Sequence, residues 1–192
     1  MRLVDYLDLG ASFDPTAPCL ASGAETLGYA EVQGLSRWVA GALAAQGVGV
    51  GDRVATLSAD EPLASAAVFG ISRAGAVWCP VHLEPGAALN HDLLAALECR
   101  ILLFTAAFAD RVDEVRDQLG DTTAVCLDAA HPWAMSWGEF LYAGIEYSVD
   151  RTNDDDVAMV LRPATTTESE VTLTGADLAL LTSPELSRHA AL

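Results

Sequence analysis

The residues of this chain that come nearest to anion chemistry stand in one stretch: Arg162, Pro163, Ala164, Thr165, Thr166, Thr167, Glu168, Ser169 and Glu170. The apolar run Val157–Leu161 leads into it, and Val171–Leu173 and the helix start Thr174-Gly175-Ala176-Asp177-Leu178 follow. A buried strand that empties into a hydroxyl-rich turn is a place where nucleotide enzymes cradle phosphate, because backbone N–H groups and hydroxyls converge there. This turn has no glycine, the residue that lets a backbone wrap closely round a phosphate, and no lysine. Arg162 is its single cation, and Glu168 and Glu170 set negative charge where an anion would come. The expectation is therefore a structural turn, with a weak anion site on backbone N–H groups and Arg162 as the alternative.

Other groupings are less specific. His82, Glu84, His91 and Asp92 are close in sequence but lack metal-ligand spacing such as two histidines four apart on a helix, so they read as surface polar residues and no metal site is expected. Gly70-Ile71-Ser72-Arg73-Ala74 lacks the second glycine of a nucleophile elbow and lies in a helical pattern. Gly47-Val48-Gly49-Val50-Gly51-Asp52 has the polarity opposite to a phosphate-binding glycine turn: it leaves a helix and enters a strand. It reads as a helix-terminating turn. Trp133, Trp137, Phe140 and Tyr142 form an aromatic patch that either closes a core edge or serves an interface.

These residues need a scaffold, and 192 residues suffice for one sizeable domain. The expected organisation is a single domain over 1–192, with a helix-and-loop lead-in at 1–24 and a short helix and tail at 179–192. With 52% hydrophobic and 19% charged residues, disorder is not expected. A net charge of −17 argues against nucleic acid and against anionic membrane surfaces. All ten basic residues are arginine, so a phosphate-loop, Schiff-base or adenylation lysine cannot come from this sequence. Cys19, Cys79, Cys99 and Cys126 show no zinc-like spacing and read as free thiols in a reducing compartment. The first residues hold no long apolar segment, and no run approaches the roughly 20 apolar residues that span a bilayer. A cytoplasmic protein is the expectation.

The elements alternate. Helices are expected at Leu3–Leu9, from Tyr29 to Gly47, from Pro62 to Ala74 with Asp60 as N-cap, from Pro85 along Leu89, Leu93 and Leu97, and from a Thr105 cap along Phe108, Val112, Val115 and Leu119. Ser136-Trp137-Gly138-Glu139 has the form of a capping box. Strands are expected at Arg53–Ser58, Ala76–Val81, Ile101–Phe104, Ala124–Leu127 and Val157–Leu161. Short continuous apolar strands between longer helices predict an α/β fold, three-layer and doubly wound on a mostly parallel sheet.

Three segments in series resemble the opening of one family. Glu25-Thr26-Leu27-Gly28-Tyr29-Ala30-Glu31-Val32, then Gly47-Val48-Gly49-Val50-Gly51-Asp52-Arg53-Val54-Ala55, then Arg73-Ala74-Gly75-Ala76-Val77-Trp78-Cys79-Pro80-Val81 are similar to adenylate-forming enzymes. These are the AMP-binding superfamily of acyl- and aryl-CoA synthetases, nonribosomal adenylation domains and luciferases. The resemblance covers about residues 1–178 and implies the first, doubly wound subdomain, in a chain well short of a complete member. It also implies that Arg162–Glu170 stands where the family has a Ser/Thr/Gly-rich phosphate loop ending in Pro-Lys-Gly, and that Thr174-Gly175 stands where it has Thr-His. Only Thr165, Thr166 and Thr167 remain of that loop, so a vestigial phosphate-loop position with no catalytic residues and no cofactor is expected. Three functions follow as expectations. The first is a non-catalytic homologue acting by protein association, with itself as the favoured partner. The second is one part of an ATP- and magnesium-dependent acid–thiol ligase completed by another chain. The third is a carrier of small acyl or aryl ligands.

Overall fold

The computed structural model describes residues 2–58, 61–81, 96–144, 156–161 and 171–181. The chain begins with α1 (Leu3–Phe13), the hairpin strands β1 (Pro18–Ser22) and β2 (Glu25–Gly28), and α2 (Tyr29–Ala45). It continues through β3 (Arg53–Leu57), α3 (Pro62–Ala74), β4 (Val77–Pro80) and β5 (Ile101–Phe104). After β5 come a 3-10 turn at Ala106–Phe108, α4 (Ala109–Glu114) and a second 3-10 turn at Arg116–Gln118. Then follow β6 (Thr123–Cys126), β7 (Met135–Ser136), α5 (Trp137–Ala143), β8 (Val157–Leu161), β9 (Val171–Thr174) and α6 (Gly175–Leu181).

The main sheet has seven strands in the order β7-β6-β5-β3-β4-β8-β9. Its pairings are parallel except for β8 with β9. Strand periodicity splits the core in two. Val54, Ile101, Leu103 and Val125 face α2, α3 and α5, where they meet Val39, Ile71 and Phe140. Ala55, Leu57, Leu102, Phe104 and Cys126 face the other way, onto Val112, Val115, Leu119 and Leu97. Strands apolar on both faces are what a sheet covered by helices on both sides requires, and this is the doubly wound, mostly parallel architecture that the sequence predicts.

Two contacts fix the helical layer. The first is a close approach: a Cβ added to Gly70 of α3 would lie 2.4 Å from Val39 Cβ of α2. The second is polar. Arg73, buried in α3, donates to Asp8 of α1 at 2.6 Å and to Ser36 of α2 at 3.1 Å. Gln33 donates to the same Asp8 oxygen at 2.9 Å. Outside this layer α1 and the β1–β2 hairpin pack as a third cluster, with Leu7, Val32 and Ala66 at its centre and Cys19, Leu20 and Phe69 around it.

Several local expectations change. The lead-in is a longer helix followed by a strand that pairs with β2, where the sequence suggested a loop. Its strands are short and largely exposed, so no apolar alternation announces them. The N-cap of α3 is Glu61, not Asp60, which lies outside the described residues; Pro62 occupies the first turn as predicted. Thr105, expected to cap the following helix, stands at the N-cap position of the 3-10 turn but its side chain makes no capping hydrogen bond, and Asp128 Oδ1 accepts from the Ala106 N–H at 2.7 Å. That helix is broken into α4 and two 3-10 turns, although Val112, Val115 and Leu119 are buried as its stripe predicts. The helix expected from Pro85 lies outside the described residues apart from its end, where Leu97 is buried. Gly47, at φ 78°, ends α2 in the left-handed region, so the glycine run is a helix-terminating turn. Ser136 and Glu139 form the predicted capping box, with Ser136 N donating to Glu139 Oε2 at 3.0 Å and Glu139 N to Ser136 Oγ at 3.3 Å.

Burial alone would raise the Asp8 carboxyl; the hydrogen bond from Arg73, then that from Gln33, outweigh it and hold Asp8 below the ordinary aspartate range. A depressed native value contributes stability that is present above the unfolded value, about pH 4, and lost as pH falls through the native one. Asp8→Ala leaves the Arg73 charge buried with fewer partners and is expected to cost ~1–3 kcal/mol at pH 7, the gap to the parent closing below about pH 4. Urea unfolding across pH checks this. Gly70→Ala is expected to cost ~1–3 kcal/mol by overpacking against Val39, read in the same way.

Candidate functional site

Because β8 runs parallel to β4, with Met159 opposite Trp78, the chain leaves β8 at the carboxyl edge of the sheet. It returns antiparallel through β9, with Leu161 opposite Val171. Arg162, Pro163, Ala164, Thr165, Thr166, Thr167, Glu168, Ser169 and Glu170, which stand between the two strands in sequence, lie outside the described residues. Thr174, at the end of β9, starts α6 with a reciprocal cap. Its N–H donates to Asp177 Oδ2 at 2.9 Å, and Asp177 N–H donates to its hydroxyl oxygen at 3.2 Å. Its hydroxyl proton goes to Asp177 Oδ2 at 2.8 Å. These bonds hold the Asp177 carboxyl below its ordinary value. Within β8 only Val160 is buried, which corrects the reading of Val157–Leu161 as a buried strand. Among the described residues one strand, β9, lies beyond β8 in the sheet.

The same carboxyl edge holds the switch point of the sheet, between β3 and β5, where successive connections depart in opposite directions. Open α/β sheets bind ligands at such a point. Glu61 stands here at the start of α3; burial, then the carboxylates of Asp128 and Glu25, push its carboxyl up. Asp128 follows β6 and is bonded to the Ala106 amide. Thr105 follows β5, is 1% exposed, and its Oγ1 has no hydrogen-bond partner among the described residues. Beyond it His131 sits edge-on between Phe104 and Trp133, with Nε2 3.5 Å from Asp113 Oδ1. Sequence reading missed Glu61, Thr105 and Asp128 as one locus. The available signal was position: each stands at or just past the carboxyl end of a predicted strand.

The remaining candidates fall elsewhere. His82, Glu84, His91 and Asp92 lie outside the described residues. Gly70–Ala74 is helical and belongs to the α2–α3 contact. The aromatic patch divides: Phe140 is buried with Trp137 stacked on it at 5.6 Å, while Tyr142 is exposed. The four cysteines form no disulfide with one another, and Cys79, Cys99 and Cys126 are buried. Among the described residues no three metal-ligating side chains are grouped, and no helix is long and apolar enough to cross a membrane.

The sequence pattern of the AMP-binding enzyme family matches residues 9–167. The chain belongs to that family. An indoleacetate–CoA ligase of Aromatoleum aromaticum is 31% identical over 129 residues, covering 67% of this chain and 25% of that protein. A 3-hydroxybenzoate–CoA ligase of an Aromatoleum species is 29% identical over 113 residues, covering 59% of this chain and 22% of the relative. The matches thus span about a quarter of the length of these relatives. The crystal structure of an anthranilate CoA ligase with anthranoyl-AMP superposes with a TM-score of 0.83 at 17% identity, over 94% of this chain and 36% of that one. A benzoate CoA ligase from Burkholderia xenovorans gives 0.79 at 20% identity, over 94% and 36%. The fold is that of the N-terminal subdomain of AMP-binding enzymes.

The unpartnered Thr105 hydroxyl gives a direct test of the locus. Replacing a buried hydroxyl that makes no hydrogen bond with a methyl of the same shape removes a desolvation penalty. Thr105→Val is expected to stabilise the domain by ~1 kcal/mol in urea unfolding.

Proposed function

We propose that this domain acts by protein association and does not bind ATP. The observation that carries the reading is the composition of Arg162–Glu170: a phosphate-loop position with no glycine, no lysine and two glutamates, in a sequence without any lysine. A triphosphate approaching this edge would also meet Glu61, Asp128 and Glu25, and like charges in a cleft repel.

The association proposed is with a second copy through β9. This strand lies at the edge of the sheet among the described residues, and Val171-Thr172-Leu173-Thr174 carries no charge. Natural edge strands are guarded by charges, prolines or bulges, and an uncharged edge is a template for another strand. Val171, 49% exposed, and Leu161 add apolar surface beside it. Two antiparallel copies of one edge make a self-complementary, isologous contact. The net charge of −17 opposes the contact at long range, so salt strengthens it.

A second reading is supported by the relatives, two of which are CoA ligases acting on aromatic acids by their names. In it the domain contributes structure to a ligase whose nucleotide-binding residues come from elsewhere. Titration calorimetry with ATP and magnesium tests the first reading: no heat at millimolar nucleotide is expected, and micromolar binding overturns it, whereas a co-purifying chain that brings pyrophosphate release on adding carboxylic acids favours the second. Sedimentation should show a dimer that tightens as salt rises from ~20 mM to ~0.5 M. Val171→Glu, at an exposed position, should return it to a monomer without loss of stability.

A further inference from the structure

A cavity of about 470 Å³ opens at the carboxyl ends of β3 and β4, within the ~300–1,000 Å³ range of small-molecule pockets. Thr56 and Trp78, diagonal neighbours on the two strands, form its sheet side. Val68 and Phe69 of α3, Leu3 of α1 and Leu20 of β1 supply apolar wall. The lead-in segment therefore builds part of a binding surface as well as covering α2 and α3.

The chemistry of the lining selects its occupant. Two aromatic rings, Phe69 and Trp78, line it among aliphatic groups, which suits a flat apolar body. Among the described residues its side-chain polar groups besides the indole are hydroxyls, those of Thr56, Ser58 and Ser65, and none that lines it is charged. The Trp78 indole N–H is committed to Thr56 Oγ1 at 2.8 Å, so the Thr56 hydroxyl keeps its own proton to give. A carboxylate entering here would lose water and meet no cation, at the edge where Glu61 and Asp128 already crowd negative charge. A neutral acceptor carries no such penalty.

We infer that this cavity binds a small, uncharged aromatic molecule carrying a hydrogen-bond acceptor, and that it discriminates against the corresponding carboxylate. The site goes beyond the association proposed above and does not rest on it, since its lining comes from β1, β3, β4, α1 and α3 and none of it from β9.

The test uses naphthamide and naphthoate, matched in shape and different in charge, titrated calorimetrically into the full chain at pH 7. The amide is expected to bind and the acid to bind at least about tenfold more weakly, the factor that one uncompensated pK unit represents. Val68→Trp and Leu20→Trp fill the cavity from two different elements, and either that keeps the parent far-UV circular dichroism and cooperative urea unfolding should abolish amide binding. Val171→Glu should leave amide binding unchanged, which separates this site from self-association. No binding of the amide, equal or tighter binding of the acid, or amide binding that survives in a folded cavity-filled variant overturns the inference.

Discussion

The contact between α2 and α3 is the constraint to which the rest of the domain is referred. Val39 sits so close to Gly70 that α3 has no room for a side chain there, and the two helices share one plane above β3 and β4. Arg73, one turn further along α3, is buried by that closeness and reaches Ser36 and Asp8. A buried guanidinium is costly unless its donors are met, so its demand for acceptors also pins α1. Once α1 is pinned, Leu3 and the hairpin residue Leu20 come over α3 and bound the cavity beside Trp78. The missing Cβ at Gly70 thus propagates through one ion pair into the shape of a surface some distance away.

Charge is distributed with a similar logic. Arg53 donates to the Leu97 carbonyl at 3.2 Å and Arg100 lies 3.7 Å from Asp52, both at the amino end of the strands. Arg111 and Arg116 lie over the rings of Phe108 and Trp133. At the carboxyl edge burial, then the nearby carboxylates of Asp128 and Glu25, make Glu61 harder to ionise. The edge that in an open α/β sheet receives ligands is therefore the acidic one here, and neutral or cationic partners are favoured over anions.

Much of this was legible in the sequence. Val54–Leu57, Ile101–Phe104 and Ala124–Cys126 are short runs apolar on both faces, and such runs between helical patterns specify a parallel sheet with little ambiguity. What escaped reading depends on partners distant in sequence. Asp128 reaches the Ala106 amide of the turn after β5 because two strand ends lie side by side, a fact of topology and not of local pattern. The run Val157–Leu161 has the composition of a central strand, yet its burial is set by how much sheet lies beyond it. The hairpin at 18–28 owes its strands to each other and to α1, and its own residues carry only a weak signal. At the site, the missing glycines and lysine were plain from residue types alone, whereas the meeting of Glu61, Asp128 and Thr105 required the strand order.

That division bears on how a family fold can be kept when its ligand site changes. The core clusters draw on α2, α3, α4, α5 and the strands from β3 to β8, and the turn after β8 supplies none of their described members. A side chain at Gly70, by contrast, is felt at once in the packing of α3 on α2. The strands reach the carboxyl edge whatever anion chemistry the turn can or cannot perform. On the readings proposed above, what the edge can hold is then set by the described residues fixed there by packing: the acidic groups around Glu61, and the hydroxyl and aromatic lining between β3, β4 and α3.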